Sequence, residues 1–352
     1  MAAGSGFGNV FRITTWGESH GKGIGVVVDG CPAGLALCEE DIQVYLNRRK
    51  PGTSKFTTPR KEEDQVEILS GVFEGKTTGT PISMIVFNKT QRSKDYSEIA
   101  TYYRPGHADY TYDCKYGFRD YTGGGRSSGR ETIGRVAAGA IAAKLLKEMG
   151  ITVEAYTKSI GPVSISDEKD RKRAEEYLEQ CMREGNSSGG VIECCIQGVP
   201  AGLGEPCFEK LSANLGKAIL SIGAVKGFEI GDGFAVAEAT GLGNNDAFYY
   251  DNDGKIQKKT NHAGGILGGI SDGSEIVFRA AVKPTPSVFA EQETVNKYGE
   301  NISINIKGRH DPVIVPRAVV VVECMAAITI LDALFVNMSA RVENIKKFYD
   351  NL

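Results

Sequence analysis

Three groups of residues in the first 130 positions of the chain carry side chains suited to acid–base chemistry on an anionic ligand. Ser19-His20 lies in a polar loop between glycines, and Arg104-Pro105-Gly106-His107 places a cation and an imidazole on one tight turn. A glycine run at 123–125 leads into Arg126-Ser127-Ser128-Gly129-Arg130. Histidine exchanges protons near neutral pH, and arginine binds carboxylates and phosphates through paired hydrogen bonds. The pattern therefore predicts a protein that binds anionic small molecules.

A helix must position the glycine run. Ser128 and Glu131 have the S-x-x-E spacing of a capping box, and Gly150 suits a C-terminal stop, so we predict a helix between them. Its many small residues, from Gly134 to Ala143, would let a neighbouring element pack closely. A helix N-terminus offers unpaired N–H groups that favour phosphate. The loop matches neither nucleotide-binding glycine fingerprint, and a plain glycine-rich loop with solvated arginines is the alternative interpretation.

Three later segments carry further candidates. Residues 261–269, N-H-A-G-G-I-L-G-G, would let backbone approach a flat ligand, and Lys283-Pro284-Thr285-Pro286-Ser287 puts a cation and hydroxyls on a rigid turn. Residues 308–312 place Arg309, His310 and Asp311 side by side. The most basic segment, 48–61, is typical of a solvated surface loop.

Composition excludes several classes of protein. The chain has 352 residues, 41% hydrophobic and 24% charged, with a net charge of −3, which opposes nucleic-acid binding through bulk positive charge. Its eight cysteines show neither C-x-x-C nor zinc spacing, and the first 21 residues lack a secretory pattern, so we expect reduced thiols in a cytoplasmic protein without a metal. The most apolar segment, 318–336, contains Glu323 and Asp332, which favours a buried helix or strand-plus-helix over a membrane span.

Strand and helix patterns mix along the chain and predict an α/β protein. Strands are expected at 11–15, 25–28, 65–72, 81–87, 152–156, 190–196, 233–239 and 275–282, helices at 39–47, 167–183, 208–222 and 341–349, and a mobile polar loop at 241–259. The hexapeptide G-x-P-A-G-L occurs at 30–35 and at 198–203, each time between an expected strand and an expected helix. We therefore expect a single domain, 1–352, of two related halves, about 1–150 and 151–352, with chance as the alternative.

The motifs together, in this order, resemble the chorismate synthases. G-E-S-H-G, R-P-G-H-A-D, G-G-G-R-S-S, N-H-A-G-G-I-L-G-G, K-P-T and G-R-H-D-P carry the resemblance across almost the whole chain. Departures at Lys55, Gly129 and Gly223 remove no expected acid or base. The resemblance implies a β-α-β sandwich peculiar to the family, a homotetramer, and an anti-1,4-elimination of phosphate from 5-enolpyruvylshikimate 3-phosphate. That reaction gives chorismate in the shikimate pathway of aromatic amino acid biosynthesis, and it requires reduced flavin mononucleotide (FMN) without net oxidation.

The resemblance also implies roles for residues. His20 is the implied acid at the departing phosphate, His107 the implied acid toward the reduced flavin, and Asp311 the carboxylate that assists proton removal. The implied substrate contacts are Ser19, Arg49, Arg104, Arg130 and Arg309, with Arg48 nearby, and Arg49 and Lys55 are possible contacts for NADP or another anion. The implied flavin contacts are Arg126, Ser127, Ser128, Gly223, Ala224, Gly268, Lys283, Pro284, Thr285, Pro286, Ser287 and Arg309. His262 and His310 are read as structural, and the modest length favours an external flavin reductase or reductant.

Three other functions were compared with this reading. A nucleic-acid module built on residues 48–61 is opposed by the overall charge and by the lack of interleaved aromatic residues. A serine hydrolase using Ser19 and His20 lacks the G-x-S-x-G elbow. A flavin-dependent redox enzyme is the serious rival, and turnover without oxygen distinguishes it, because a redox enzyme consumes flavin electrons in proportion to product.

Overall fold

The computed structural model describes residues 4–50, 52, 56, 63–89, 98–306 and 311–350. In the first 150 residues the elements are β1 (Gly6–Phe7), β2 (Arg12–Gly17), β3 (Gly23–Asp29), α1 (Glu39–Arg49), β4 (Val66–Ile68), β5 (Val72–Phe73), β6 (Lys76–Thr77), β7 (Ile82–Phe87), α2 (Asp109–Tyr116) and α3 (Thr132–Glu148). Five of these strands form an antiparallel sheet in the order β1-β2-β3-β7-β4. Its alternating apolar side chains, such as Val26 and Met84, are buried on one face.

The rest of the chain builds a second antiparallel sheet. Its elements are β8 (Thr152–Ile160), β9 (Val163–Ser164), α4 (Glu168–Arg183), β10 (Gly190–Gln197), α5 (Leu211–Leu220), β11 (Val225–Ile230), α6 (Gly241–Asn244), β12 (Phe248–Tyr250), β13 (Ile256–Lys258), β14 (Ile266–Leu267), β15 (Ile270–Ser271), β16 (Ile276–Val282), β17 (Gln292–Val295), β18 (Asn301–Ile304), α7 (Val315–Asn337) and α8 (Val342–Tyr349). The sheet order is β9-β8-β10-β16-β11, and Ile192, Phe278 and Ala280 are fully buried on its inner face.

A layer of helices lies between the sheets. α3 packs on β2, β3 and β7, α7 packs on β8 and β10, and the two helices pack against each other. α1 and α5 flank them, against β4 and β11 respectively. The predicted α/β class and β-α-β sandwich are therefore confirmed.

The small residues of α3 allow the close packing that the sequence predicts. A side chain at Gly139 would overlap Cys324 of α7, and one at Gly134 would lie 3.0 Å from the Gly25 carbonyl oxygen of β3. α3 can therefore touch a sheet on one side and a helix on the other. All eight cysteines are free thiols, and burial raises the pKa of Cys324 well above its ordinary value.

The apolar segment near the C-terminus is one continuous helix, α7, rather than a strand followed by a helix. It is long and apolar enough to cross a membrane, but 72% of its most apolar window is buried inside the protein. Glu323 and Asp332 are buried with partners: Glu323 binds Arg48, and Asp332 accepts hydrogen bonds from the backbone of residues 9–11. We conclude that α7 is a core helix.

The structure corrects three predicted segments. Residues 233–238 form a 3-10 helix rather than a strand, and the strand lies earlier, at β11. Residues 241–259 are not an irregular loop but contain α6 and the β12–β13 hairpin, since the Lys258 amine is buried between Asp246 and Asp272. The expected strand at 65–72 is shorter, and a separate hairpin, β5–β6, begins at Val72.

Ser128 does not form the predicted capping box with Glu131. Its hydroxyl accepts a hydrogen bond from the Arg130 amide and caps a 3-10 turn at Gly129–Glu131, and α3 begins only at Thr132. The Glu131 side chain binds Arg135 instead of returning to the cap. At the other end, Gly150 follows α3 with a φ of +73°, as a C-terminal stop requires.

Candidate active site

The Ser19-His20 loop joins β2 to β3 at the edge of the helix layer. Ser19 is 5% exposed, and its hydroxyl oxygen lies 3.2 Å from Nδ1 of His20. The Asn88 amide donates hydrogen bonds to the carbonyls of Glu18 and Gly21, at 3.0 and 2.9 Å. These bonds fix both ends of the loop, so the imidazole is held by its backbone as well as by its neighbours.

The glycine run lies against both candidate histidines. Gly123, Gly124 and Gly125 have φ values of +68°, +83° and +51°. A Cβ at Gly123 would overlap the His20 ring, and one at Gly124 would lie 3.2 Å from Cε1 of His107. Only glycine combines these backbone angles with so close an approach. The run therefore brings His20 and His107 to one site, although they are 87 positions apart.

His107 is held by a buried ion pair. The Arg104 guanidinium donates to both carboxylate oxygens of Asp109, at 2.7 and 2.8 Å. Nδ1 of His107 lies 3.1 Å from Arg104 Nη2 and 2.9 Å from Asp109 Oδ1. Burial raises the pKa of Asp109, but hydrogen bonds from Arg104 and His107 outweigh burial and hold it well below its usual range. Since Nδ1 is engaged, Nε2 is the ring nitrogen that faces the glycine run.

Arg49 and Arg130 meet at a second buried carboxylate, Asp64. Arg49 is 2% exposed, and its Nη2 donates to Asp64 Oδ2, while Nη1 of Arg130 lies 3.2 Å from Asp64 Oδ1. Nη2 of Arg130 donates to Asn88 at 2.9 Å, which links this pair to the Ser19-His20 loop. The structure thus brings two of the predicted substrate arginines together beside the loop.

The residues after the glycine run use their side chains within the chain. Arg126 donates to the hydroxyl and carbonyl oxygens of Thr15, at 2.6 and 3.3 Å, and Ser127 donates to the Gly124 carbonyl at 2.7 Å. These bonds tie the run to β2 and fix its shape. A ligand at this loop would therefore meet backbone and the start of α3 at least as much as side chains.

The Lys283 turn joins the site from the second sheet. Nζ of Lys283 donates to the Gly106 carbonyl at 2.7 Å, and its backbone N–H donates to the Ala224 carbonyl at 2.9 Å. Burial, and then the charge of Lys226, lower the pKa of Lys283. Ala224 has a φ of +72°, a conformation that non-glycine residues seldom adopt. Two predicted flavin segments, 223–224 and 283–287, thus lie together beside the Arg104–His107 turn.

Asp311 lies beside Ser287 in a small cavity. The cavity has a volume of about 90 Å³ and is lined by both residues together with Ser187 and Phe289. Oδ2 of Asp311 accepts a hydrogen bond from Arg317, whose Nε donates to the Arg49 carbonyl at 3.0 Å. Burial lowers the pKa of Arg317, and the Asp311 charge opposes that effect. Asp311 is thus connected to the Arg49 group through a single arginine.

Three of the remaining candidates, Arg309, His310 and Lys55, fall outside the described residues. Gly268 stands at the tip of the β14–β15 hairpin, where the next residue, Gly269, packs on Lys210 near the start of α5. Arg48 turns toward α7 and forms a paired hydrogen bond with Glu323 at 2.7 and 2.8 Å. His262 Nδ1 lies 2.6 Å from Asp232, and its structural role stays a prediction.

Sequence reasoning missed four residues that organise the site. Asp109 had a signal, because it stands two positions after His107 within R-P-G-H-A-D. Asp64, Asn88 and Arg317 lie in unremarkable segments, and no spacing rule connects them to their partners. Among the described residues no group of three or more His, Cys, Asp or Glu side chains could hold a metal ion.

The fold and this arrangement define a class: a helix-cored sandwich with two histidines, a glycine run and buried arginines at one candidate site. Comparison with known proteins narrows the class. The family model for chorismate synthase matches residues 11–335. The chain is 68% identical to the chorismate synthase of Agathobacter rectalis, covering 99% of this chain and 100% of that one. It is 54% identical to that of Synechococcus elongatus, covering 94% and 97%.

A solved structure, the crystal structure of a chorismate synthase, superposes with a TM-score of 0.76 at 31% identity and covers 98% of each chain. The chain belongs to the chorismate synthase family. It is therefore an enzyme, a lyase that acts on a small-molecule substrate.

Proposed function

We propose that this enzyme catalyses the anti-1,4-elimination of phosphate from 5-enolpyruvylshikimate 3-phosphate to give chorismate, in the shikimate pathway. Reduced FMN is needed, and no net oxidation occurs. Family membership supports the proposal, and one observation of this chain carries it. The glycine run lies against both His20 and His107, so two acid–base groups flank one anion-binding loop. An elimination that moves a proton and releases phosphate needs acid–base groups and a loop that binds the phosphate.

The residues present fit a phosphorylated flavin. Apart from Gly223 and its two chain neighbours, no described residue has an atom within 4 Å of the position that a Cβ of Gly223 would take, so backbone there is open to a flat ring. The Lys283 amine and the start of α3 after Ser127-Ser128 supply positive charge and N–H donors suited to a phosphate. Arg126, Ala224 and the turn 283–287 complete the proposed cofactor site, together with Gly268 and Arg309. When bound, reduced FMN supplies electron density to the reacting ring.

The two histidines have separate proposed tasks. His20 gives a proton to the departing phosphate, and its Nδ1 is oriented by Ser19, 3.2 Å away. His107 faces the glycine run with Nε2 and would act there as the acid toward the reduced flavin. Asp109, whose Oδ1 lies 2.9 Å from Nδ1, orients the ring, as a carboxylate does in other acid–base dyads.

The arginines hold the substrate's carboxylates and phosphate. Arg49 is 2% exposed, Arg104 is 8% exposed, and Arg130 is partly exposed. Each of the three is held by a buried aspartate. A protein of net charge −3 attracts such an anion only by concentrating cations locally, and these residues do so. Ser19 and Arg309 are the other proposed substrate contacts, and Arg49 and Lys55 the proposed contacts for NADP or another anion.

Asp311 is proposed to assist removal of the ring proton. A carboxylate alone is too weak a base for a C–H bond, so its role is to relay a proton or to orient the group that accepts it. The Arg317 contact keeps the carboxylate in place at the cavity beside Ser287. This position agrees with a group that acts next to the flavin segments.

The test is an assay of phosphate release under anaerobic conditions with 5-enolpyruvylshikimate 3-phosphate and chemically reduced FMN. We expect one phosphate and one chorismate for each substrate consumed, with the flavin absorbance still that of the reduced form at the end. Oxidised FMN should give no product until it is reduced. Flavin oxidation in proportion to product would instead establish the rival, a redox enzyme.

The assembly and supply of the enzyme are part of the same proposal. We propose a cytoplasmic homotetramer that depends on an external flavin reductase or reductant. Large apolar side chains project from the surface, among them Phe234 at 85% and Leu242 at 94% exposed, and an oligomer would cover such groups. Sedimentation equilibrium at micromolar concentration is expected to show a tetramer, and a lone 37.8 kDa species would contradict it.

A further inference from the structure

Asp64 stands at the centre of the buried charges beside the candidate site. Its side chain is 1% exposed, and its two carboxylate oxygens face different arginines. Oδ2 accepts from Arg49 at the end of α1, and Oδ1 lies 3.2 Å from Arg130 before α3. These arginines come from elements 81 positions apart, and neither the sequence motifs nor the comparisons mark the residue that joins them.

The backbone holds Asp64 in an uncommon conformation. Its φ is +46°, in the left-handed region that aspartate and asparagine enter more readily than most residues. The Gln43 side chain fixes it from α1: its amide donates to the Asp64 carbonyl at 3.2 Å, and its oxygen accepts from the Val66 amide at 3.1 Å. The two hydrogen bonds from Gln43 therefore hold Asp64 in this backbone conformation, in which its carboxylate lies between the two guanidinium groups.

Asp64 and the two arginines form a buried charged trio, in which one carboxylate faces two guanidinium groups. Nε of Arg49 is buried and has no hydrogen-bond partner among the described residues. A buried donor of this kind is costly unless a ligand satisfies it. Arg49 is thus placed to donate a hydrogen bond from Nε to an anionic ligand.

We propose that Asp64 is a positioning residue, which holds Arg49 and Arg130 in the geometry that binds an anionic group of the substrate. The proposal rests on the function proposed above. Asp64 keeps two like charges close in a medium where they would otherwise repel, and it sets the direction of both guanidinium planes. Asp311 is tied to the same group, because Arg317 bridges it to the Arg49 carbonyl.

The test is calorimetric titration of 5-enolpyruvylshikimate 3-phosphate into wild-type protein and Asp64→Asn. Asparagine keeps the size and tolerates the left-handed backbone, but it loses the charge. We expect Kd to rise about 10-fold or more, the scale of a lost charge-assisted hydrogen bond. KM should rise in step, while FMN affinity and kcat at saturation should stay within about threefold, because additive contacts elsewhere are unaffected.

Asp332→Asn is the matched control. Asp332 is equally buried, and its carboxylate accepts backbone hydrogen bonds from residues 9–11 in the core. That variant should lose stability but keep the wild-type Kd. If Asp64→Asn binds substrate as tightly as Asp332→Asn, then Asp64 is only structural and the proposal is wrong.

A double variant separates positioning from general damage. In an Arg49→Lys background, Asp64→Asn should weaken binding by only about threefold or less, because part of what Asp64 positions is already lost. Effects that multiply in full would show that Asp64 does not act through Arg49 and would overturn the inference. If wild-type protein binds no 5-enolpyruvylshikimate 3-phosphate at all, the proposed function itself fails and this inference falls with it.

Discussion

Residues 10–150 and 151–337 form the same order of strands and helices but differ in the segments that connect them. Each stretch runs through two paired strands, a helix, an edge strand, a two-stranded hairpin, an inner strand and a core helix. The first is β2-β3-α1-β4-β5-β6-β7-α3, and the second is β8-β10-α5-β11-β14-β15-β16-α7, apart from its additional elements. Both sheets have the same order of equivalent strands, with the same antiparallel pairing.

The two G-x-P-A-G-L segments, residues 30–35 and 198–203, form turns with matching contacts, and we call these turns the first and second corner. Gly30 and Gly198 have φ values of +77° and +80°, and a Cβ at either would overlap the carbonyl oxygen of the residue two positions before β2 or β8. In the first corner the Thr77 hydroxyl donates to Pro32 at 2.6 Å and accepts from Leu35 at 3.0 Å. In the second corner Ser271 makes the equivalent bonds to Pro200 and Leu203, at 2.6 and 2.9 Å.

The difference between the stretches lies in their connections. Between the first two strands, the first stretch has the five-residue loop with Ser19 and His20, whereas the second has β9 and the charged helix α4. Between helix and edge strand, the first has the buried Asp64 and the second has Ala224, both with positive φ. After β7 comes the histidine and glycine-run segment, and after β16 comes the Lys283 turn.

The comparison teaches that framework and chemistry vary independently. Corresponding connections, after β7 and after β16, meet where Lys283 touches Gly106, so one site draws on both stretches. We propose that the chain is a single domain of two related halves, in which the acid–base and arginine groups come mainly from the first. Substitutions at the site should then change turnover, and substitutions at the shared framework should change stability alone.

The largest expected effect comes from the two histidines of the first half. His20→Ala and His107→Ala should each lower kcat by about 10²–10⁴-fold, the range of a lost general acid or base. His262→Ala, in the second half, should leave kcat near wild type, because its imidazole pairs with Asp232 outside the glycine-run contacts. Steady-state assays with reduced FMN and thermal melting curves would separate chemistry from folding. Wild-type turnover by either of the first two variants contradicts its role.

Asp311→Asn tests the main chemical group that we assign to the second half. Asparagine keeps the turn-forming ability that aspartate has before Pro312, but it loses the charge. We expect the elimination step to slow by about 10²-fold, with folding and FMN affinity near wild type. Rapid-mixing absorbance of the bound flavin with deuterated substrate would isolate that step. A variant whose only defect is lower thermal stability would mean that Asp311 merely supports Arg317.

Asp109 and Asp246 compare a buried carboxylate at the site with one in the framework. Burial raises the pKa of each, but hydrogen bonds outweigh it, from Arg104 and His107 for Asp109 and from Thr260 and backbone amides for Asp246. Because the folded pKa lies below the unfolded value of about 3.9, each carboxylate stabilises the fold at neutral pH, and this contribution disappears as pH falls below that value.

Asp109→Asn should therefore lower the free energy of unfolding at pH 7 by about 3 kcal/mol, since it leaves the buried Arg104 without its partner charge. Asp246→Asn should lower it by less, since Asp272 still faces the buried Lys258. The difference from wild type should shrink as pH falls below about 4. Only Asp109→Asn should also lower kcat, by about 10-fold or more, because His107 loses its orienting carboxylate. Equal activity loss in both variants would show that stability alone governs turnover.

These contrasts also show what the sequence can predict. The histidines, the glycine run and the Lys283 turn stand in short motifs whose residue types indicate their chemistry. A buried helix at α7 can be predicted because its apolar run is longer than an ordinary strand. Asp64 and Arg317 act through partners brought by distant elements, so no local pattern reports them. Ser128 fits a capping box by spacing, but Arg135 lies one turn away and takes the Glu131 carboxylate instead.

The predicted loop was wrong where a buried ion pair orders a segment of polar composition. Residues 241–259 are polar and read as a loop, yet Lys258 is 2% exposed between two aspartates and orders a hairpin. The repeated hexapeptide can be found in the sequence, but the hydrogen bonds that fix its shape come from Thr77 and Ser271, which lie outside it. A match of five residues in six predicts two halves, and the hydrogen bonds made by these two hydroxyls give the match a physical basis.

The smallest expected effect tests that basis directly. Thr77→Val and Ser271→Ala each remove one hydroxyl from a buried corner and keep the shape of the side chain. Each leaves a proline carbonyl and a leucine amide without their partner, so each should lower the free energy of unfolding by about 2 kcal/mol. The two losses should agree within about 0.5 kcal/mol and should add in the double variant, because the corners lie in different sheets.

Neither corner variant should change kcat or KM, because Thr77 and Ser271 belong to the framework that the halves share. The reciprocal exchange, Thr77→Ser with Ser271→Thr, keeps both hydroxyls and should cost less than either deletion. Denaturant unfolding monitored by circular dichroism measures these differences. A large loss at one corner beside none at the other would mean that the matching bonds support only one half. The likeness of the halves would then be a likeness of shape, and the hexapeptide would not be the reason for it.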